Sequence, residues 1–387
     1  MLKLNYHIFL CVVFVFSLTK GFTQQTKRVC DTIHYEFVQD KIIIPVTVNG
    51  VKVKYIVDTG GQTGTDWENV QKMEGVGTGA SKPIADLNGI KQLYQVAEVK
   101  DVQLSPNYKL SKMKTMVFPV GGTFKALGVA GILGGDAFAQ SVVTFDAREQ
   151  IMVINYPYRP AGLKVTDGVE MFGGDTYHSI VKMNLGGVEK EVLFDTGAGG
   201  FLSLSASDFK EIEEKGNGEK VARAFGINGI GLEGLSDPVE IDKVNIKEMT
   251  ILGKKFSNVG TLTSDGNSTL VGVDLLKYGK VVIDYMRNRL FFFPFDTEVA
   301  DMGGAPKIWN VSILPANERF EITRIWDSMK DVVAFGDQVI DINGTDITGF
   351  PMSQPEIDGL MNAIEEDTAY IIVLKDGKKK KIEIRRE

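Results

Sequence analysis

A mostly β protein, built as two repeated lobes with a small α+β domain behind them, is predicted by three features of the sequence. An Asp-Thr-Gly triplet occurs twice, each time at the end of an apolar strand. Apolar-Gly motifs, Ile132-Leu133-Gly134 and Leu270-Val271-Gly272, follow the two triplets at near-equal distances. Strand alternation broken by Gly, Asn and Pro runs through both repeats, and helical periodicity is scarce.

The repeat can be followed residue by residue. Val51 to Val57 leads into Asp58-Thr59-Gly60, and Val188 to Phe194 leads into Asp195-Thr196-Gly197, with Gly50 and Gly187 each eight residues before their aspartate. Asn49-Gly50 and Gly186-Gly187 lie between apolar runs, where both residues can take positive φ, so each triplet is expected to close the second strand of a hairpin. Gly134 and Gly272 stand 76 and 77 residues beyond Asp58 and Asp195, and Asp136 and Asp274 follow by two. Val142 to Asp146 and Val281 to Asp284 place a further aspartate 12 residues after each of those glycines. Loops drift in length between duplicated units, so such constant offsets indicate duplication. The lobes are assigned to 25–160 and 161–298, with one short helix at Ser207 to Glu214.

Beyond Phe295 strand character fades, and 299–309 reads as a linker containing Gly303-Gly304. The segment 310–387 then shows strands at Phe320 to Ile325 and Gln338 to Ile342, an Asn343-Gly344 turn, and a helix announced by Ser353 with Glu356 three residues on. Ile357, Leu360, Met361 and Ile364 fall on one face of that helix. Strands Tyr370 to Leu374 and Lys381 to Ile384 flank an Asp376-Gly377 turn, and Lys378 to Lys381 read as a solvated edge.

The ends and the charge bound the rest. Lys3, the apolar run of 11 from Ile8 to Leu18, and the small residues after it read as a secretory signal over 1–24. A spanning helix needs roughly 20 apolar residues, so no transmembrane span is expected after its removal. Export to the periplasm or the exterior follows. Cleavage removes two lysines and no acid, which takes the net charge from -7 to -9 and makes nucleic acid an unsuitable partner. Cys30 is then the sole cysteine, so no intrachain disulfide forms.

One Asp-Thr-Gly is a weak signal, expected by chance in roughly one chain in ten of this size. Two at equivalent places in a duplication carry chemistry. Carboxylates held within hydrogen-bonding distance cannot both ionise cheaply; they share a proton and titrate together. Asp58 and Asp195 are therefore the candidate catalytic pair, one member activating a water and the other polarising a scissile carbonyl. Thr59 and Thr196 are expected to hydrogen-bond across the loops. Gly60 and Gly197 are expected to turn the chain sharply and offer N–H groups to the carboxylates. No cofactor or metal is called for: His34 and His178 show no paired-histidine metal spacing, and no Gly-x-Ser-x-Gly elbow occurs.

On these motifs the chain resembles the pepsin and retropepsin superfamily, in the bacterial branch where two retropepsin-like lobes are fused, over about 26–298. The resemblance implies a bilobal acid-protease fold, an endopeptidase acting on extended polypeptide, and a monomer with both aspartates in one chain. It makes the apolar-Gly strands scaffolding beside the catalytic loops, and it implies substrate-covering hairpins, with Asn88-Gly89 and Asn228-Gly229 as candidate turns and Tyr94 as a cleft residue. Residues 310–387 resemble a PDZ domain through Gly336-Asp337-Gln338-Val339-Ile340-Asp341-Ile342-Asn343-Gly344 and the helix after Ser353. That implies a peptide groove between Phe320 to Ile325 and the helix, although Asn317-Glu318-Arg319-Phe320 replaces the usual apolar carboxylate-binding loop. The first lobe departs from the family after its triplet, where Gly61-Gln62-Thr63-Gly64-Thr65 lacks apolar strand residues. A catalytically inactive peptide-binding scaffold of the cell envelope is the alternative function.

Overall fold

The computed structural model describes residues 28–85, 91–118, 122–231, 234–264, 266, 268–375 and 377–387; the expected signal segment, the Asn88-Gly89 turn and Asp376 lie outside them. The described chain is mostly β. Both predicted hairpins form. Lys41–Val48 pairs with Val51–Val57, closing at Val48↔Val51, and Ile180–Leu185 pairs with Val188–Phe194, closing at Leu185↔Val188. Asn49 and Gly50 have φ of 48° and 80°, and Gly186 and Gly187 have φ of 60° and 85°, the two left-handed residues that a tight two-residue turn requires.

Each second strand then lies parallel to an apolar-Gly strand. Val57 sits beside Leu133 and Phe194 beside Val271. These pairings belong to two separate sheets. The first is eight-stranded and runs from Glu36–Val38 to Val76–Ala85; the second begins at Ala300–Gly304 and passes through Lys254–Ser264 and Val188–Phe194 to Gly218–Gly226. A six-stranded sheet joins the halves, with Val142–Asp146 antiparallel to Gly279–Asp284. One apolar core runs through the junction, taking Ile44, Val57 and Leu133 from one side and Val181, Phe194 and Ile283 from the other.

Two expectations for the C-terminal third need correction. The 299–309 linker contains a strand, Ala300–Gly304, which runs parallel to Lys254–Ser264 with a register shift where Gly303 and Gly304 take positive φ. Its sequence has low strand propensity, and the sheet edge supplies the pairing. The second correction concerns the groove. Val311–Ala316, a strand the sequence reading missed, pairs on one side only, with Arg319–Trp326. It is this strand that the helix Gln354–Asn362 packs against. The strand containing Phe320 to Ile325 is interior to its sheet, flanked by Val311–Ala316 and by Gln338–Ile342.

The helix begins at the expected cap, Ser353, but without the side-chain hydrogen bond of a capping box. Ile357, Met361 and Ile364 are buried in a core of their own with Val311, Ile342 and Ile371. The four lysines Lys378 to Lys381 are exposed on the last strand of the sheet. The same sheet continues into the second half. Gly218–Gly226 pairs with Arg319–Trp326 through Ala224↔Trp326 and Gly226↔Arg324, the Arg324 guanidinium donates to the Ile227 carbonyl at 3.0 and 2.9 Å, and Trp326 is buried beside Ala224 and Ile241.

Candidate active site

The parallel strand pairs fix the position of each aspartate. Asp58 N donates to Leu133 O and Asp195 N to Val271 O, both at 2.9 Å, so each triplet leaves its strand at the apolar-Gly motif. The threonines join the two loops across 137 residues. Thr59 Oγ1 donates to Phe194 O at 2.7 Å and accepts from Thr196 N at 3.0 Å. Thr196 Oγ1 donates to Val57 O at 2.7 Å and accepts from Thr59 N at 3.1 Å. Both side chains are buried, and four backbone groups that a strand end would leave orphaned are satisfied reciprocally.

The glycines serve one of the two purposes expected and a further one that was not. Gly60 N donates to Asp58 Oδ1 at 3.1 Å and Gly197 N to Asp195 Oδ1 at 2.7 Å, as predicted. Neither glycine has positive φ; the requirement is steric. A Cβ on Gly60 would come within 2.6 Å of Asp195 Oδ2, and one on Gly197 within 2.5 Å of Asp58 Cγ. Each glycine therefore makes room for the carboxyl of the opposite triplet. Asp195 is buried and Asp58 partly exposed. Burial, then the charge of Asp195 and a hydrogen bond to it, push Asp58 well above the ordinary carboxylate range, against the opposing pull of the Gly60 N–H and the Lys41 ammonium.

The glycine-rich departure in the first half folds into a defined strand. Gly64–Thr65 pairs with both Gly131–Leu133 and Lys109–Val117. Gly64 is needed there because a Cβ would fall inside the Phe118 ring. Asp136 Oδ1 accepts from Thr63 N at 2.9 Å and from Thr63 Oγ1 at 2.8 Å, and Gly134 N donates to Thr63 Oγ1 at 3.1 Å. In the second half backbone bonds suffice at the corresponding place: Gly272 N donates to Phe201 O and Val273 N to Ala198 O. Side chains thus replace, in one loop, what main chain does in the other.

Residues that sequence reasoning left aside also gather here. His178 Nε2 is buried without a hydrogen-bond partner among the described residues. Burial pushes its pKa below the ordinary imidazole value, while the charges of Asp195 and Asp136 act upward. Tyr285, raised by burial, senses both Asp136 and Asp58. Lys82, on Val76–Ala85, donates to Gln62 Oε1 at 2.8 Å and so ties that strand to the Asp58 loop.

Asn228-Gly229 is not a turn; the chain continues outward to the pair Ile230–Gly231 and Gly234–Leu235. Tyr94 is buried, packed edge-on against Phe118. Among the described residues no group of three or more His, Cys, Asp or Glu is placed to hold a metal ion.

Fold and site together define a mostly β chain in which two glycine-held aspartates face each other from equivalent strand ends. Among solved structures the chain is similar to the aspartic proteinase from Irpex lacteus, with a TM-score of 0.44 and 11% identity over 70% of this chain and 98% of that one. No family model matches the sequence, and no curated protein does.

Proposed function

We propose that this protein is an aspartic endopeptidase that hydrolyses polypeptide with Asp58 and Asp195 as a proton-sharing dyad. One observation carries the reading: two carboxyls from equivalent loops face each other, each accepting a glycine N–H, and the proximity of one raises the proton affinity of the other. In this scheme the dyad holds one proton between Asp58 and Asp195. The ionised member takes a proton from a water lying between the two as its oxygen attacks the scissile carbonyl carbon, and the protonated member gives its proton to the carbonyl oxygen. The tetrahedral diol collapses as the C–N bond breaks, with the carboxyl that took the water's proton passing it to the leaving nitrogen and the other carboxylate taking a proton from a diol hydroxyl, which restores the dyad. No covalent enzyme intermediate forms, and no cofactor is required.

The enzyme is proposed to act as an exported monomer. Residues 310–387 are proposed as a PDZ-like module that takes extended peptide between the free edge of Val311–Ala316 and the helix Gln354–Asn362. Incubating the chain lacking 1–24 with an unstructured protein from acid to neutral pH tests the reading. Cleavage abolished by Asp58→Asn and by Asp195→Asn is expected. Peptide affinity without turnover at any pH would instead identify the inactive scaffold.

A further inference from the structure

The duplication extends upstream of the hairpins. Asp40 and Tyr177, each 18 residues before its aspartate, both adopt left-handed backbone with φ of 56° and 58°. Each is followed by a basic residue, Lys41 in one half and His178 in the other, at the mouth of the hairpin's first strand. The two equivalent positions have different surroundings. His178 lies near Asp195, Asp136 and Lys82. Lys41 crosses to the other half, where its Nζ donates to Gly197 O at 2.5 Å. Asp40 accompanies it, its Cβ facing Gly199.

Gly197 is a residue on which the dyad depends. Its N–H is donated to Asp195, and a Cβ on it would collide with the Asp58 carboxyl. We propose that Lys41 is a positioning residue of the dyad: its ammonium fixes the Gly197 carbonyl, and through that residue the Asp195 loop, and supplies the fixed positive charge that sets the pH range over which Asp58 and Asp195 share one proton. The inference rests on the dyad being the reacting centre.

Three charged or titratable groups bear on the Asp58 carboxyl or are borne on by it: Asp195 opposes its ionisation, Lys41 favours it, and the Tyr285 phenol feels its charge. Among these, Lys41 supplies the positive charge. The Lys41 ammonium favours the ionised form of the carboxyl it faces. Removing that charge makes the first proton harder to lose and the second harder still, so both limbs of the dyad's titration move upward. A residue that only packed would lower the rate at every pH and leave both limbs where they were.

The test reads the dyad directly. Carboxyl-¹³C NMR titration of the full chain lacking 1–24 is assigned with Asp58→Asn and Asp195→Asn, then repeated for Lys41→Met, Lys41→Gln and Lys41→Arg. The expected result is an upward move of the titration midpoints in both neutral variants, with Lys41→Arg close to wild type, and a parallel move of both limbs of the kcat/KM profile. Unchanged midpoints in a folded neutral variant overturn the proposal. So does loss of fold in both neutral variants while Lys41→Arg folds and has a wild-type titration, because that assigns Lys41 to architecture. If the midpoints move but the wild-type protein cleaves no peptide, the proton-sharing assignment stands and the peptidase reading fails.

Discussion

Replacing Thr196 by Val removes one hydroxyl from the link between the two catalytic loops and changes the side-chain volume little. That hydroxyl donates to Val57 O and accepts from Thr59 N, at 2.7 and 3.1 Å, in a fully buried setting. The substitution leaves both backbone groups without a partner and without access to water, at about 1–3 kcal/mol each. The added methyl returns about 0.8 kcal/mol of apolar burial. A net loss of about 1–5 kcal/mol follows. Thr196→Ser, which keeps the hydroxyl and loses a methyl, is expected to cost about 1 kcal/mol. Urea unfolding followed by tryptophan fluorescence gives these differences, provided the slope of the transition stays constant across the set. Thr59→Val should behave alike, since Thr59 bridges Phe194 O and Thr196 N, and the double variant should show a coupling of at least about 0.5 kcal/mol. A loss below about 1 kcal/mol for Thr196→Val, or no difference between the Val and Ser variants, would refute the claim that reciprocal satisfaction of four buried backbone groups holds the loops together.

Other expectations concern the fit around the site. Gly64→Ala must displace the Phe118 ring, where the new Cβ would fall, and should destabilise by about 3 kcal/mol; the smaller Phe118→Leu should recover part of that loss in the double variant, and a neutral Gly64→Ala would contradict the packing. Because Asp58 is held above its unfolded value, its contribution to stability is complete below the ordinary carboxylate pKa of about 4 and is lost as the pH rises through the raised folded value. Asp58→Asn should therefore gain on wild type between acid and neutral pH, and urea midpoints that keep a constant difference over that range would count against the raised carboxyl. Arg324→Met should weaken the docking of the C-terminal module by about 1.5–3 kcal/mol through loss of two charge-assisted bonds to Ile227 O. Hydrogen exchange at the Ile227 amide, which donates to Thr323 O at 2.7 Å, should speed up at least about tenfold, and unchanged protection would rule the contact out as an anchor.

The sequence by itself determined what is local and repeated. Turn pairs such as Asn49-Gly50 and Gly186-Gly187 carry their backbone conformation in their composition, and equal offsets to Gly134 and Gly272 identify the strands that run beside the triplets. The same alignment, carried 17 residues upstream of each aspartate, reaches Lys41 and His178; their signal was present as a shared position and was concealed because the two side chains differ. Val311–Ala316 and Ala300–Gly304 were hidden for another reason. One contains Pro315 and the other two glycines, so neither shows clean alternation, and each forms because a neighbouring strand offers an open edge.

Tertiary structure alone decided the contacts between distant segments. No periodicity links Lys41 to Gly197 across 156 residues or Gly64 to the Phe118 ring, and the joining of Gly218–Gly226 to the Arg324–Trp326 end of the strand Arg319–Trp326 pairs segments about a hundred residues apart. The requirement for glycine at 60 and 197 belongs here too. It looks like backbone freedom in the sequence, and in space it is the volume occupied by the opposite carboxyl, which neither triplet encodes until the two halves fold against each other.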